Sequence, residues 1–163
     1  MTAIWSNATD RAEGKTVIIQ FLIGSAVICL SIAVTALTLG MSIRFKNGIH
    51  HPLVEKRDGL RNSLGLAVAS LAGLATLAIS VWIWAVLFLV IGVFHSLEPA
   101  VYFAIVSFTT LGFGDIILPV EWRLLSGLCA ANGLIVFALI AAYLVEFLSR
   151  MHRAQIGDDH AFD

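Results

Sequence analysis

Seven consecutive residues carry the chemistry this sequence offers: Thr109, Thr110, Leu111, Gly112, Phe113, Gly114 and Asp115. Two hydroxyls precede two glycines spaced two apart, and a carboxylate follows, all within an apolar region. Glycine reaches backbone conformations that other residues avoid. Alternating it with larger residues can therefore turn successive carbonyls to one side. A row of carbonyls facing one axis can replace the water around a small cation. Irregular backbone at membrane depth survives only where it is buried in protein or lines a watery path. Elsewhere the side chains offer little for catalysis. No metal-ligand spacing is present, and no intramembrane set of His, Ser and carboxylate converges, so an enzyme is not expected.

The elements that must position these residues follow from composition. Of the 163 residues, 59% are hydrophobic and 13% charged. A soluble domain carries about 25% charged residues, so the chain reads as an integral membrane protein surrounded by a lipid bilayer. The formal net charge of -1 gives no bulk attraction for nucleic acid or for an acidic substrate. Cys29 and Cys129 stand singly in apolar segments and read as small packing residues.

Residues 1–15 are short and mixed in charge and lack the pattern of a signal peptide. Asn7, Ala8 and Thr9 match a glycosylation acceptor, a pattern too short to carry weight. Residues 16–43 contain no charge, which fits one transmembrane helix over about 17–39. It holds no arginine, so it cannot sense voltage as an arginine-rich helix does. Residues 44–61 form a basic loop with Gly48, Pro52 and Gly59 as breakers and His50 and His51 as solvated groups.

Residues 62–94 are again uncharged, an outer helix over about 64–94. Its first half is rich in Gly and Ala, the small residues that let helices approach closely in lipid. Trp82 and Trp84 lie deep in this span and read as packing residues. Pro99 suits a first helical turn, with Ser96 as its cap. Residues 99–109 number 11, about 16 Å of helix, or half a bilayer: a re-entrant helix, not a span. An inner helix occupies about 124–149, and residues 151–163 form a short polar tail.

Lysine and arginine set the orientation. Residues 44–61 hold Arg44, Lys46, Lys56, Arg57 and Arg61, and the C-terminal end adds Arg150 and Arg153. Only Arg11, Lys15 and Arg123 stand on the other side. Cytoplasmic loops carry the excess of positive charge. The C-terminus is therefore expected in the cytoplasm, and the N-terminus and glycine stretch outside the cell membrane.

The run from Tyr102 and Phe103 through Ala104, Ile105, Val106, Ser107, Phe108, Thr109, Thr110, Leu111, Gly112, Phe113, Gly114 and Asp115 resembles the pore helix and selectivity filter of the potassium channel pore-domain superfamily. The similarity covers about 94–150 by motif and extends back to 62 by the helix, re-entrant loop, helix order; residues 17–61 lie outside it. The resemblance implies an all-α membrane protein of three transmembrane helices, a re-entrant pore helix and a filter. Four copies would encircle the ion as a homotetramer. Backbone carbonyls of Thr110, Leu111, Gly112 and Phe113, with the Thr110 hydroxyl, would hold K+, and no cofactor is implied. Gly112 and Gly114 would permit the backbone angles. Thr109 would support the filter, and Asp115 would sit at its outer mouth.

By the same resemblance the final helix lines a cavity, with Gly133 where similar channels carry a hinge glycine. Close helix packing is an equal explanation of that glycine. Leu134, Phe137, Ala141 and Val145 recur at helical spacing as an apolar wall, with Val145 and Ser149 as gate candidates. Glu146 is either an inner-mouth carboxylate or a partner of Arg150 one turn on; the latter is favoured.

Four departures from the usual filter pattern stand out. Phe113 lacks the hydroxyl of the commoner tyrosine, and Leu111 is larger than the usual valine. Tyr102 and Phe103 occupy positions often held by tryptophan, which deprives Asp115 of an indole partner. Val106 stands where some relatives place a glutamate. These changes predict a filter braced by apolar packing, with altered inactivation. Two functions are weighed. One is passive potassium conduction, with weakly selective cation conduction as its variant. The other is a membrane scaffold or partner subunit in which the glycines are incidental.

Overall fold

The charge-free runs form helices because every backbone polar group can be satisfied within the segment. A computed structural model of the chain describes secondary structure for residues 2–48 and 58–159, and side chains for 14–41 and 63–149. Four α-helices are present among the described residues: α1 (Thr2–Gly48), α2 (Asp58–Val90), α3 (Leu97–Phe108) and α4 (Arg123–Asp159), the last preceded by a 3-10 turn at Val120–Trp122. No strand occurs among them. Among the described residues, three stretches are long and apolar enough to cross a membrane: Gly14–Met41, Ser63–Val90 and Val120–Ser149. With 12 residues, α3 is too short to do so.

The boundaries differ from the sequence expectation at most helix ends: α1 runs on to Gly48 and α2 begins at Asp58, both inside the expected loop 44–61, and α3 spans Leu97–Phe108 rather than 99–109. Both ends of the chain continue as helix: α1 starts at Thr2 rather than near 17, and α4 runs on to Asp159. Their polar flanks include Ala3, Ala8, Arg11, Ala12, Glu13 and Lys15 at one end and Arg150, Arg153, Ala154 and Gln155 at the other, residue types that favour helix without apolar burial. The outer helix stops at Val90, four residues early, because Gly92 takes a left-handed φ of 76°. Finally, Ser96 occupies the N-cap position of α3, but its side chain makes no capping hydrogen bond. The loop residues His50, His51, Pro52, Lys56 and Arg57 lie outside the described residues, as do the side chains of Asn7, Thr9 and Arg150.

The chain divides into two compact units, Met1–Ile32 with Ile79–Ile135, and Ala33–Ala78 with Val136–Asp163. In the second unit, Thr38 and Thr76 share a hydrogen bond of 2.8 Å between hydroxyls. Thr76 also donates to the Ala72 carbonyl at 2.8 Å. Gly73 accepts the close approach of Ile140, and Gly65 that of Phe147. The small residues of α2 thus face α4 there, as their composition suggests.

The first unit holds an aromatic core. Trp84 and Phe88 on α2, Phe94 beyond its end, and Phe103 on α3 form a cluster with ring centroids 5.3 to 6.2 Å apart. Phe88 and Phe103 meet edge to face at 81°, a geometry that adds to plain burial. The expectation for the tryptophans holds for one of them only: Trp84 is fully buried, while Trp82 is 48% exposed. Trp82 therefore belongs to the surface of α2, not to its packing face. Ser31 donates to Ser80 at 3.0 Å, both fully buried, so a hydroxyl pair joins α1 to α2.

Candidate functional site

At the end of α3 the backbone closes through a set of hydrogen bonds back into the helix. Thr109 N–H donates to the Ile105 carbonyl at 2.9 Å, Thr110 N–H to Ser107 at 2.9 Å, and Leu111 N–H to Val106 at 3.0 Å. The last two bonds are those of a Schellman motif, which closes a helix around one left-handed residue. That residue is Thr110, with φ 59°. A β-branched residue is a genuine outlier in this region, at about 1–2 kcal/mol. Beyond it Gly112 (φ 59°) and Gly114 (φ 77°) are also left-handed, so positive φ recurs at every second residue.

Nothing lies within 4 Å of a side chain added at either Gly112 or Gly114. Glycine is needed there for conformation, not for room. The whole stretch is exposed in the single chain, Leu111 at 55% and Phe113 at 65%. Thr109 is the helix C-cap, and its hydroxyl donates to the Ile105 carbonyl at 2.8 Å.

At the far end, Tyr102 Oη donates to Asp115 Oδ2 at 2.7 Å. This hydrogen bond holds the Asp115 carboxyl below its ordinary range, helped by the backbone N–H groups of Asp115 and Ile116. It correspondingly raises the Tyr102 phenol, with the Asp115 and Glu98 charges adding to the effect. A charge-assisted O–H to carboxylate bond is among the stronger kinds. The sequence reading noted the missing indole but not that a phenol supplies the bond. Tyr102 and Asp115 lie 13 apart, a separation that signals no contact by itself. The brace of this stretch is therefore apolar and polar together.

Several apolar side chains of α3 are buried. Phe103 is 6% exposed within the aromatic cluster, and Val106 and Phe108 are buried as well. Against the same helix lies α4. Its Gly133 faces the Phe108 carbonyl so closely that any Cβ would collide with that backbone oxygen. Of the two readings of Gly133, close packing is what the contact requires. One turn earlier, the Cys129 thiol approaches the Ala104 carbonyl at 3.9 Å.

Leu134, Phe137 and Val145 are 60%, 41% and 63% exposed, and Ala141 is exposed too. Glu146 is exposed and Ser149 half-buried. Sequence reasoning missed Gln20, which is 2% exposed in α1 and accepts a hydrogen bond from the Leu124 N–H at 3.0 Å. It also missed Asn132, fully buried beside Gly133 with neither amide atom hydrogen-bonded. Polar residues in an apolar run were the available signal for both.

Three apolar helices of crossing length and one half-length helix define a helical membrane protein. Within it, residues 74–150 match the family model described as "Ion channel". The match takes in the second half of α2, all of α3, the exposed stretch and α4 to Arg150, and it supports an ion-channel function. That description points to transport rather than catalysis. No match was found among curated proteins, and none among solved structures.

Proposed function

We propose that the protein is a potassium-selective channel in which four copies surround one conducting axis. The observation that carries this reading is the recurrence of left-handed φ at Thr110, Gly112 and Gly114 in an exposed stretch at the end of a half-length helix. Alternating left- and right-handed residues reverses the backbone at each step, so successive carbonyls point the same way instead of alternating as in a strand. Such carbonyls, with the Thr110 hydroxyl, would take the place of the ion's water. One chain supplies one wall, and closed symmetry supplies the rest.

Several features support it. The stretch finds no burial within its own chain, which suits a surface completed by neighbouring copies. Leu134, Phe137, Ala141 and Val145 are exposed at helical spacing on α4, as residues lining an apolar cavity would be. Here α3 would be re-entrant, with the negative end of its dipole toward the cavity. Asp115 would lie at the outer mouth and Glu146 near the inner one, with the C-terminus cytoplasmic by the charge rule.

Purified protein reconstituted in lipid vesicles tests this directly. Passive K+ flux that exceeds Na+ flux and is blocked by barium, from tetramers, is the expected result. Equal K+ and Na+ flux would reduce the reading to a weakly selective cation channel. A monomer inert to every cation would leave the scaffold reading in its place.

A further inference from the structure

We propose that α1 is a positioning element for the conducting stretch, acting through the side chain of Gln20 on the first turn of α4. Its effect on current rests on the channel reading above; the cap itself does not. The first four N–H groups of a helix have no partner inside it. Trp122, the residue before α4, is not of a type that caps with its side chain. The Leu124 N–H, one of those orphans, is satisfied from 104 residues away by Gln20 Oε1 at 3.0 Å. A buried amide in an apolar helix is tolerated when it is hydrogen-bonded, and Gln20 is 2% exposed.

A second contact continues the first. Four residues beyond Gln20, Gly24 lies so close to Leu128, four residues beyond Leu124, that an added Cβ would collide with its side chain. Two successive turns of α1 thus track two successive turns of α4, running in the same direction. The next turn of α4 carries Gly133 against the Phe108 carbonyl, where Thr109 and Thr110 begin. In the other direction only nine positions separate Leu124 from Asp115. The opening turns of α4 are therefore held by α1 at one point and by the end of α3 at another. The conducting stretch is tethered to both. Because Gln20 reaches backbone, any substitution of Leu124 except proline leaves the donor of this bond in place.

The test uses the full-length reconstituted protein and two substitutions of similar size. Gln20→Met keeps length and apolar packing but has no strong acceptor. Gln20→Glu keeps a carboxyl acceptor in either protonation state, and its charged form suits a helix N-terminus. Hydrogen exchange over residues 120–128 and steady K+ current are measured on each. Gln20→Met is expected to speed exchange in the first turn of α4 about fivefold and to lower open probability with unitary conductance unchanged. Gln20→Glu should stay near wild type in both. Wild-type exchange in Gln20→Met, or equal damage in both variants, would overturn the cap. Faster exchange with unchanged gating would overturn the positioning role. If the wild type passes no K+, the channel reading fails, and exchange alone still decides the cap.

Discussion

Two helix ends in this molecule are closed by the same three hydrogen bonds and then part ways. At the end of α2, Gly92 N–H donates to Leu89, and Val93 and Phe94 both donate to Phe88, at 3.0, 3.1 and 3.4 Å. At the end of α3, Thr110 N–H donates to Ser107, and Leu111 and Gly112 both donate to Val106, at 2.9, 3.0 and 3.3 Å. The left-handed position is glycine in the first case and threonine in the second. After α2, positive φ occurs once and the chain turns into α3. After α3 it recurs at Gly112 and Gly114. Closing a helix is thus generic; repeating the left-handed step is what distinguishes the stretch from Thr110 to Gly114. A threonine where glycine would be relaxed indicates a demand for its hydroxyl.

The largest expected effect separates the two ends by function. Gly112→Ala should abolish K+ flux, whereas Gly92→Ala, equally left-handed and equally open around the Cβ, should lower stability by about 1–2 kcal/mol and leave flux intact. Flux lost in both would erase the distinction. Next comes glycine used for room. Gly133→Ala meets the Phe108 backbone oxygen, and overpacking of this kind costs about 1–3 kcal/mol, read as a lower melting temperature of the detergent-solubilised protein. An unchanged melting temperature would mean that α4 can move away freely.

A smaller effect follows from exchanging the closing residues. Thr110→Gly should relieve strain, by at most about 1 kcal/mol once the added freedom of the unfolded glycine is counted. It should also narrow the preference for K+ over Na+ in flux assays. The smallest change is Tyr102→Phe, which deletes one exposed hydrogen bond. By NMR titration, the Asp115 carboxyl should rise toward its ordinary 3.8. The sign of the pH dependence is fixed by both partners. The lowered Asp115 contributes fully above its ordinary value, and its share is lost as pH falls through the lowered one. The raised Tyr102 contributes fully below its ordinary 10.0 and is lost only as pH rises through a higher value. Current through the wild type should therefore not vary with this bond across neutral pH, and a titration there would assign the effect to another group.

Much of this could be read from the residues. Charge-free runs gave the three spanning stretches, and the distance from Pro99 to Thr109 gave the half-length helix. The glycine spacing located two of three left-handed positions. The third was hidden because residue type argues against it: nothing about a threonine announces positive φ until the helix-closing bonds are seen. Gly133 illustrates a different limit, since a helix glycine reads alike whether it bends or admits a neighbour, and only the facing Phe108 carbonyl decides. Contacts that join distant segments, such as Gln20 to Leu124 and Tyr102 to Asp115, depend on how helices pack, which periodicity does not encode. The aromatic cluster was half visible, with Trp84 and Phe103 noted but not their meeting through Phe88.

Thr110 is also the strained residue of the stretch. Its left-handed φ lies about 1–2 kcal/mol above the relaxed alternative, and about 1.4 kcal/mol is tenfold in an equilibrium. One backbone flip at this residue is therefore favoured locally by about tenfold, with the bonds from Thr110 and Leu111 back to α3 opposing it. In the proposed channel, conduction and pause would be neighbouring states of this one peptide unit.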